Sequence, residues 1–540
     1  MIEGIAIPLL IYAELAALCA LFILNRRELG MAFRSLKPKH WFGVAALAVS
    51  FFFLSASVPL SFPAVGDEFL YMSTAKNLAL RGEYVSCSFD GFHDACWLPT
   101  KPHHVFPVVA GAVFALAGVS VEAAVDLNMV FGSLAVVAMF CASYLLFMDY
   151  GKALLSSLIL ALFPTNLVMA KSMETSTVSL FLVVLTLFLF LLWRRQQRGS
   201  LLCLAAVSLA LAVQARVENA LLVPLFLLFY FMFKQKPRWR SWSPWILLFA
   251  LVSFQMIQVA ALLAPGNITA YTTAEGTVFG TQKLLGNAAG IAYLIASEPY
   301  YIAVVVLLLA GLAKWTAGRK ELLFLGAFFA VFFGLFLAFL RSDFVEVFNG
   351  LQATPYFGGY RFLFQAFAVL FIVAPAGCAV LASSVSKRAR LSKQSAFWLL
   401  FAAFVVASVP SIWDVYVTGN PYTTSVSSYE DFMSVKGAIP DGCYVLSDAS
   451  GMISSLTAFK VMDIRSAVED PKRFSSIVES HCVVYYEGPR TRLTMVPLKP
   501  KEALAAFNFT VMKNVSVASG SFYTSVELVT LKVDDASSTG

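Results

Sequence analysis

Apolar runs long enough to cross a bilayer recur from Gly4 to Pro410, and no other feature restricts what this chain can fold into so severely. A crossing takes roughly 20 predominantly apolar residues, so repeated runs exclude a single-anchor or peripheral protein. The bulk numbers agree: 59% apolar side chains, 13% charged and a mean hydropathy of +0.76 leave too little polar surface for a water-soluble coat. The fold class is therefore a polytopic α-helical membrane protein. Its net charge of +7 is not a nucleic-acid footprint, because the basic residues fall in short clusters between apolar runs and form no continuous stripe.

Those clusters orient the chain. They comprise Arg26, Arg27, Arg34, Lys37 and Lys39; Arg194, Arg195 and Arg198; Lys234 to Arg240; Lys314 to Lys320; and Lys387 to Lys393. The positive-inside rule puts all of them in the cytoplasm, so the runs between them must cross an even number of times. Spans are expected near residues 4–24, 41–60, 128–148, 153–170, 177–193, 200–214, 218–233, 245–263, 300–313, 321–340, 362–383 and 395–412, about 12 in all, with both termini outside. Crossing at 105–118 as well would break that parity. This run is short and starts at Lys101-Pro102-His103-His104, so it is read as an interfacial helix on the outer surface; the alternative is that it spans and a weaker run does not.

This threading gives a membrane domain over 1–412, whose first outer loop is 61–104, and an extracytoplasmic soluble domain over 413–540. Short strand-like runs at Cys443 to Leu446, Lys460 to Met462 and Cys482 to Tyr486, separated by helical or turn-rich stretches, suggest a small α/β module. Four cysteines fall in aqueous segments, as the pairs Cys87 with Cys96 and Cys443 with Cys482, and outside the cytoplasm each pair is a plausible bridge. The first run carries Glu3 and Glu14 without a basic leader, so no cleavable signal peptide is expected.

Chemistry concentrates at the outer ends of the spans. Asp67 and Glu68 sit at the mouth of a membrane helix, where ionised groups are costly unless water, a cation or a substrate meets them. Asp67 is a candidate general base; the alternative is a solvated helix N-terminus favoured by the dipole. Lys101, Lys171, Arg216, Arg341 and Arg361 put positive charge on the side that the positive-inside rule disfavours, as an anionic phosphate head group would require. Taken singly each could be a snorkelling anchor, which is the simpler reading for Arg341, and Arg216 could simply pair with Glu218. Glu174 has no comparable local partner beyond Lys171. Asp90, His93, Asp94, His103 and His104 share the first outer loop, a donor set able to hold a divalent cation, yet their spacing matches no closed ligand motif, so no cofactor is required.

Asp67-Glu68 with Tyr71, the Ala75 to Gly82 helix, Lys101-Pro102, and the Ala-Leu-Phe-Pro run ending at Pro164 before Lys171 and Glu174 together resemble the C-type (GT-C) membrane glycosyltransferases. The similarity is greatest to the branch that uses lipid-phosphate sugars: dolichyl-phosphate-mannose protein mannosyltransferases and the polyprenyl-phosphate aminoarabinose transferase. Arg361-Phe362-Leu363 is similar to that family's Arg-Tyr/Phe-Leu segment. The resemblance implies inverting transfer of a sugar from a dolichyl- or polyprenyl-phosphate donor to a protein, lipid or glycan acceptor, on the outer face of the plasma membrane. It implies Asp67 as the catalytic acid of the first loop, Glu174 where the family usually has Asp, and Lys101 near the lipid phosphate; Glu68 joins them as a candidate catalytic residue, and Arg216 and Arg361 join Lys101 as candidate phosphate-binding residues. Tyr71, His103 and His104 are then expected to contact substrate. His103-His104 stands where the family often has Pro-Leu, and Glu174 replaces Asp; both changes bear on acceptor choice and on any metal.

Two other readings compete. Ile412-Trp413-Asp414-Val415-Tyr416 and Thr272-Thr273-Ala274-Glu275 weakly echo oligosaccharyltransferases, which move a preassembled glycan to protein. A transporter would need ionisable groups near mid-span, and apart from Glu14 the spans are poor in them.

Overall fold

The computed structural model describes residues 2–60, 67–89, 94–97, 99, 103–233, 248, 272–273, 276–277, 284–313, 315, 318–337, 360–418, 423–447, 450–457, 459–464, 467, 470–487, 507–519 and 522–533. The N-terminal half opens with α1 (Ile2–Leu24), a short elbow α2 (Arg26–Ala32) and α3 (Pro38–Ser57). A membrane-edge layer follows: α4 (Asp67–Arg81), the hairpin β1 (Ser86–Phe89) and β2 (Asp94–Trp97), and α5 (Val105–Ala117). Then come α6 (Val121–Phe147), α7 (Tyr150–Ala161), α8 (Pro164–Ala170), α9 (Ser176–Gln196), α10 (Gly199–Ala215), a 3₁₀ turn over Val217–Leu221 and α11 (Leu222–Phe233). A two-residue pair, β3 (Thr272–Thr273) with β4 (Gly276–Thr277), precedes α12 (Leu284–Ser297), α13 (Pro299–Ala313), α14 (Arg319–Leu337), α15 (Tyr360–Ala389) and α16 (Lys393–Thr418).

Among the described residues, seven helices are long and apolar enough to cross a membrane, or nine if the bent pairs α7–α8 and α12–α13 each count as one. That is fewer than the twelve crossings expected. The expected spans within the described residues do form helices, but those at 200–214 and 218–233 are short, and 245–263, apart from residue 248, lies outside the described residues. Thirteen residues of α5 rise about 20 Å, short of a hydrocarbon core of roughly 30 Å, and α5 packs on α4 and α6.

The expected single span at 153–170 is broken: α7 and α8 meet at 60°. Pro164 is the cause, because it has no N–H to continue the ladder and starts α8 at its first position instead. Carbonyls at the break take side-chain donors. Tyr300 Oη donates to the Ile159 carbonyl at 2.6 Å, and Asn166 Nδ2 donates to that of Leu160 at 3.1 Å. Tyr300 is fully buried. Tyr300→Phe, which keeps the ring and strands the Ile159 oxygen, is expected to destabilise the protein by about 1–3 kcal/mol, read as a lower melting temperature in detergent. An unchanged melting temperature would mean that the break needs no external donor.

Several basic clusters meet at one end of the bundle. Arg198 pairs with Glu28, Arg194 pairs with Glu321 at the start of α14, and Lys320 Nζ donates to the Met232 carbonyl at 2.9 Å. This is the C-terminal end of α9. The 21 residues of α9 rise about 31 Å, so its N-terminal end, where residues 171–176 lie, is a bilayer thickness away.

The C-terminal region forms a mixed five-stranded sheet, order β6-β5-β7-β9-β8, from β5 (Tyr444–Ser447), β6 (Val461–Asp463), β7 (Val483–Glu487), β8 (Phe507–Ser519) and β9 (Phe522–Val533). The three short strands are parallel and match the three strand-like runs of the sequence; β8 and β9 form a long antiparallel hairpin. Helices α17 (Thr423–Val435), α18 (Ser450–Leu456) and α19 (Pro471–Ser480) accompany the sheet. Both anticipated disulfides are formed, Cys87–Cys96 across the first hairpin and Cys443–Cys482 at the entries to β5 and β7. The sheet region docks on α4 through α18, where Lys76 Nζ caps the helix C-terminus by donating to the carbonyls of Ser454, at 2.8 Å, and Thr457.

Asp431 on α17 is buried, and its Oδ2 accepts no hydrogen bond from the described residues. Burial, and then the neighbouring Glu430 charge, pushes its carboxyl from the ordinary 3.8 up to about 6. A raised acid binds its proton more tightly folded than unfolded, so stability falls as pH rises from about 4 to 6 and stays lower above. Asp431→Asn is expected to slow amide exchange across residues 423–435 at pH 7.5 and to make little difference at pH 4. Equal protection of both proteins at pH 7.5 would contradict this.

Candidate active site

The acidic pair opens α4, where two carboxylates meet the positive end of the helix dipole. Adjacent residues on a helix point about 100° apart, and the pair divides accordingly. Asp67 is half-buried and reaches the surface, whereas Glu68 is fully enclosed. Glu68, Tyr71, Met72 and Ala75 recur at helical spacing as a buried stripe facing α5. Gly111 of α5 allows the approach: a Cβ there would lie 3.2 Å from the Ala75 carbonyl and 2.9 Å from Leu78 Cδ2.

Two adjacent histidines tie α4 to the entry of α5. Tyr71 Oη lies 2.7 Å from His103 Nδ1, and Tyr84 Oη lies 2.8 Å from His104 Nδ1. Both histidines are buried, so their direct contacts are with the protein. His104 N also donates to the Gln214 carbonyl at 2.8 Å, and Gln214 Nε2 donates to Glu14 Oε1 at 2.8 Å, which joins α1 and α10 to the same layer. Ser73 Oγ donates to the Cys87 carbonyl and accepts from Cys87 N, both at 3.0 Å, pinning the disulfide hairpin to α4.

Below this layer lies a charged cluster that the sequence showed only in part. Arg216, 2% exposed, ends α10 with an extended backbone and spreads its guanidinium between three partners. Nη1 donates to Glu174 Oε1 at 2.8 Å and to Ser176 Oγ at 2.9 Å, while Nη2 donates to Glu218 Oε1 at 2.9 Å. Glu174 Oε2 accepts from Ser176 N at the start of α9, and Asn128 Nδ2 donates to the carbonyls of Ser172 and Glu174. His103 Nε2 stands 3.8 Å from Glu218 Oε2. A contact chain therefore runs Tyr71–His103–Glu218–Arg216–Glu174, with Asp67 one turn from Tyr71 on the same face of α4.

The structure thus brings Tyr71, His103, Glu174 and Arg216 together and sets Asp67 beside them. Lys101 lies outside the described residues; Arg361 is placed only as backbone in the first turn of α15. Ser176, Asn128, Gln214 and Gln365 were not singled out from the sequence. Their one signal there is a polar residue within an apolar run, as with Gln365, whose Nε2 donates to Ser179 Oγ at 3.1 Å. Among the described residues no group of three or more His, Cys, Asp or Glu side chains is placed to hold a metal, and Asp90 and His93 lie outside them.

The family model for dolichyl-phosphate-mannose-protein mannosyltransferase matches residues 101–261, which hold His103, Glu174, Arg216 and Glu218. No curated protein matches the chain by sequence. Among solved structures, the chain is similar to ArnT from Cupriavidus metallidurans bound to undecaprenyl phosphate, with a TM-score of 0.56 and 13% identity over 92% of this chain and 98% of that one. The apo state of the same ArnT gives 0.53 and 14% identity over 90% and 97%. The arabinofuranosyltransferase AftD from Mycobacteria gives 0.51 and 14% identity over 93% of this chain and 40% of the larger AftD chain. At such identities the common property is architecture, and the chain has the fold of the GT-C membrane glycosyltransferases, with residues 101–261 similar in sequence to the dolichyl-phosphate-mannose-protein mannosyltransferases.

Proposed function

We propose that this chain is an inverting glycosyltransferase that moves one sugar from a dolichyl- or polyprenyl-phosphate donor to a protein, lipid or glycan acceptor at the outer face of the plasma membrane. The observation that carries the reading is the placement of Asp67: a half-buried carboxylate at the mouth of α4, one helical turn from a buried histidine–carboxylate–guanidinium cluster, in a GT-C fold. The undecaprenyl phosphate bound by ArnT supports a lipid phosphate as the donor's carrier. Arg194 and Arg198 pair with Glu321 and Glu28 at the end of the bundle opposite this site, and the positive-inside rule assigns that end to the cytoplasm.

Asp67 accepts the proton of the acceptor's nucleophile as that atom bonds to the anomeric carbon. The bond from the anomeric carbon to the phosphate oxygen breaks on the opposite side, and the lipid phosphate leaves with the electron pair. Lys101 and Arg361 are assigned to the departing phosphate, where cations stabilise the charge as it develops. Arg216, with both terminal nitrogens engaged by carboxylates, acts on the phosphate indirectly, by holding Glu174 and Glu218 in place. Tyr71, His103 and His104 shape the substrate cavity from behind. A lipid monophosphate is matched in charge by two such cations, so turnover is proposed to need no metal and to survive a chelator. The assay offers purified protein in lipid nanodiscs defined dolichyl- and undecaprenyl-phosphate sugars and determines the anomeric configuration of the product. A single transferred sugar of inverted configuration is expected; retention, or en bloc transfer of a preassembled glycan, would overturn the reading.

A further inference from the structure

His103 joins two parts of the site that nothing in the sequence connects. Its Nδ1 meets Tyr71 of α4 at 2.7 Å, and its Nε2 faces Glu218 Oε2 at 3.8 Å, which is ion-pair range, not a hydrogen bond. Glu218 Oε2 is buried and accepts no hydrogen bond from the described residues, so the imidazole edge is the polar group turned towards it. Either atom can donate in the Tyr71–His103 contact, and a carboxylate only accepts, so Nε2 serves Glu218 when it carries a proton. The side chain is 10% exposed and has little room to contact a sugar or a phosphate directly.

We propose that His103 is a positioning residue: a rigid strut that sets the helix carrying Asp67 against the buried Glu218–Arg216–Glu174 cluster. The proposal rests on the function given above and adds a role for the residue that departs from the resemblance at this position. Two features favour a strut over ordinary packing. Tyr71 is one turn from Asp67 on one face of α4, so a shift at Tyr71 tilts the carboxylate. The far end of the ring faces the carboxylate that fixes Arg216, so both halves of the site share one side chain. Misplacing a reacting group by about 1 Å can cost on the order of 10²-fold in rate without weakening substrate binding.

The two ring nitrogens can be tested separately, because an asparagine amide reaches about as far as Nδ1 and a glutamine amide about as far as Nε2. His103→Asn should keep the Tyr71 contact and lose the Glu218 contact; His103→Gln should do the reverse. Full-length variants in nanodiscs are assayed with whichever dolichyl- or undecaprenyl-phosphate sugar the wild type turns over. Each is expected to lose roughly 10- to 100-fold in kcat with KM within about twofold, and Tyr71→Phe/His103→Gln should be no slower than either single variant. A rise in KM with kcat preserved would make His103 a substrate contact; additive kcat losses in the double variant, or no loss in either single variant, would remove the strut. The same cycle is read in melting temperature, where coupling between Tyr71→Phe and His103→Gln is expected and strict additivity counts against the proposal. If the wild type transfers sugar from no lipid phosphate, the function above fails while the melting cycle still decides whether the strut exists.

Discussion

Asp67→Asn is expected to lower turnover about 10²- to 10⁴-fold while leaving KM and the melting temperature close to those of the wild type. The size of the effect follows from what asparagine keeps and what it removes. It has the shape of aspartate and can still stand at the N-terminus of α4, but it cannot take a proton from the acceptor. Glu68 cannot substitute, since it is fully enclosed and points into the packing against α5. The measurement is initial rate against acceptor concentration, with product separated from the lipid donor. Turnover within tenfold of wild type would take Asp67 out of the mechanism and leave it a dipole-favoured helix start.

The second large effect is expected at Arg216, in stability. Its guanidinium pairs with both Glu174, at 2.8 Å, and Glu218, at 2.9 Å, and all three side chains are largely or fully buried. Arg216→Gln leaves two carboxylates facing each other across a site from which water is largely excluded. Removing one member of such a cluster costs about 3–5 kcal/mol, chiefly because the remaining charges are stranded. The melting temperature should fall sharply, and much of the loss should return when Glu174→Gln and Glu218→Gln are added, because the triple variant buries no net charge. Activity should not return with stability. If Arg216→Gln alone melts like the wild type, the cluster is better solvated than its burial indicates, and Arg216 is free to serve as a direct phosphate ligand.

Much of the architecture was readable because membrane helices report themselves locally. The runs at 4–24, 177–193 and 395–412 are apolar over a bilayer's length, and each is a helix within a few residues of the expected bounds. Pro164 was visible as a residue but not as a break, since a proline in a span can be absorbed when neighbours satisfy the freed carbonyls. That depended on Tyr300, which lies 141 residues from Ile159 in sequence. The β8–β9 hairpin was missed because its strands carry polar residues on both faces, as in Asn508-Phe509-Thr510 and Lys513-Asn514, and give no clean period of two.

The site divides in the same way. Asp67 and Glu174 stand out in the sequence because a carboxylate at the end of an apolar run is energetically conspicuous by itself. Arg216 also stood out, yet its partner Glu174 is 42 residues away, and the nearby Glu218 looked like sufficient company. His103 was anticipated as a substrate contact, and only the packing of α5 beneath α4 turned it inward between Tyr71 and Glu218. The sequence by itself determined which segments form apolar helices and where the basic residues cluster between them, because both follow from the chemistry of each residue alone. Only the tertiary structure decided which charges neutralise one another and which of the two adjacent carboxylates is enclosed, because those depend on distances between residues that the chain order leaves unconstrained.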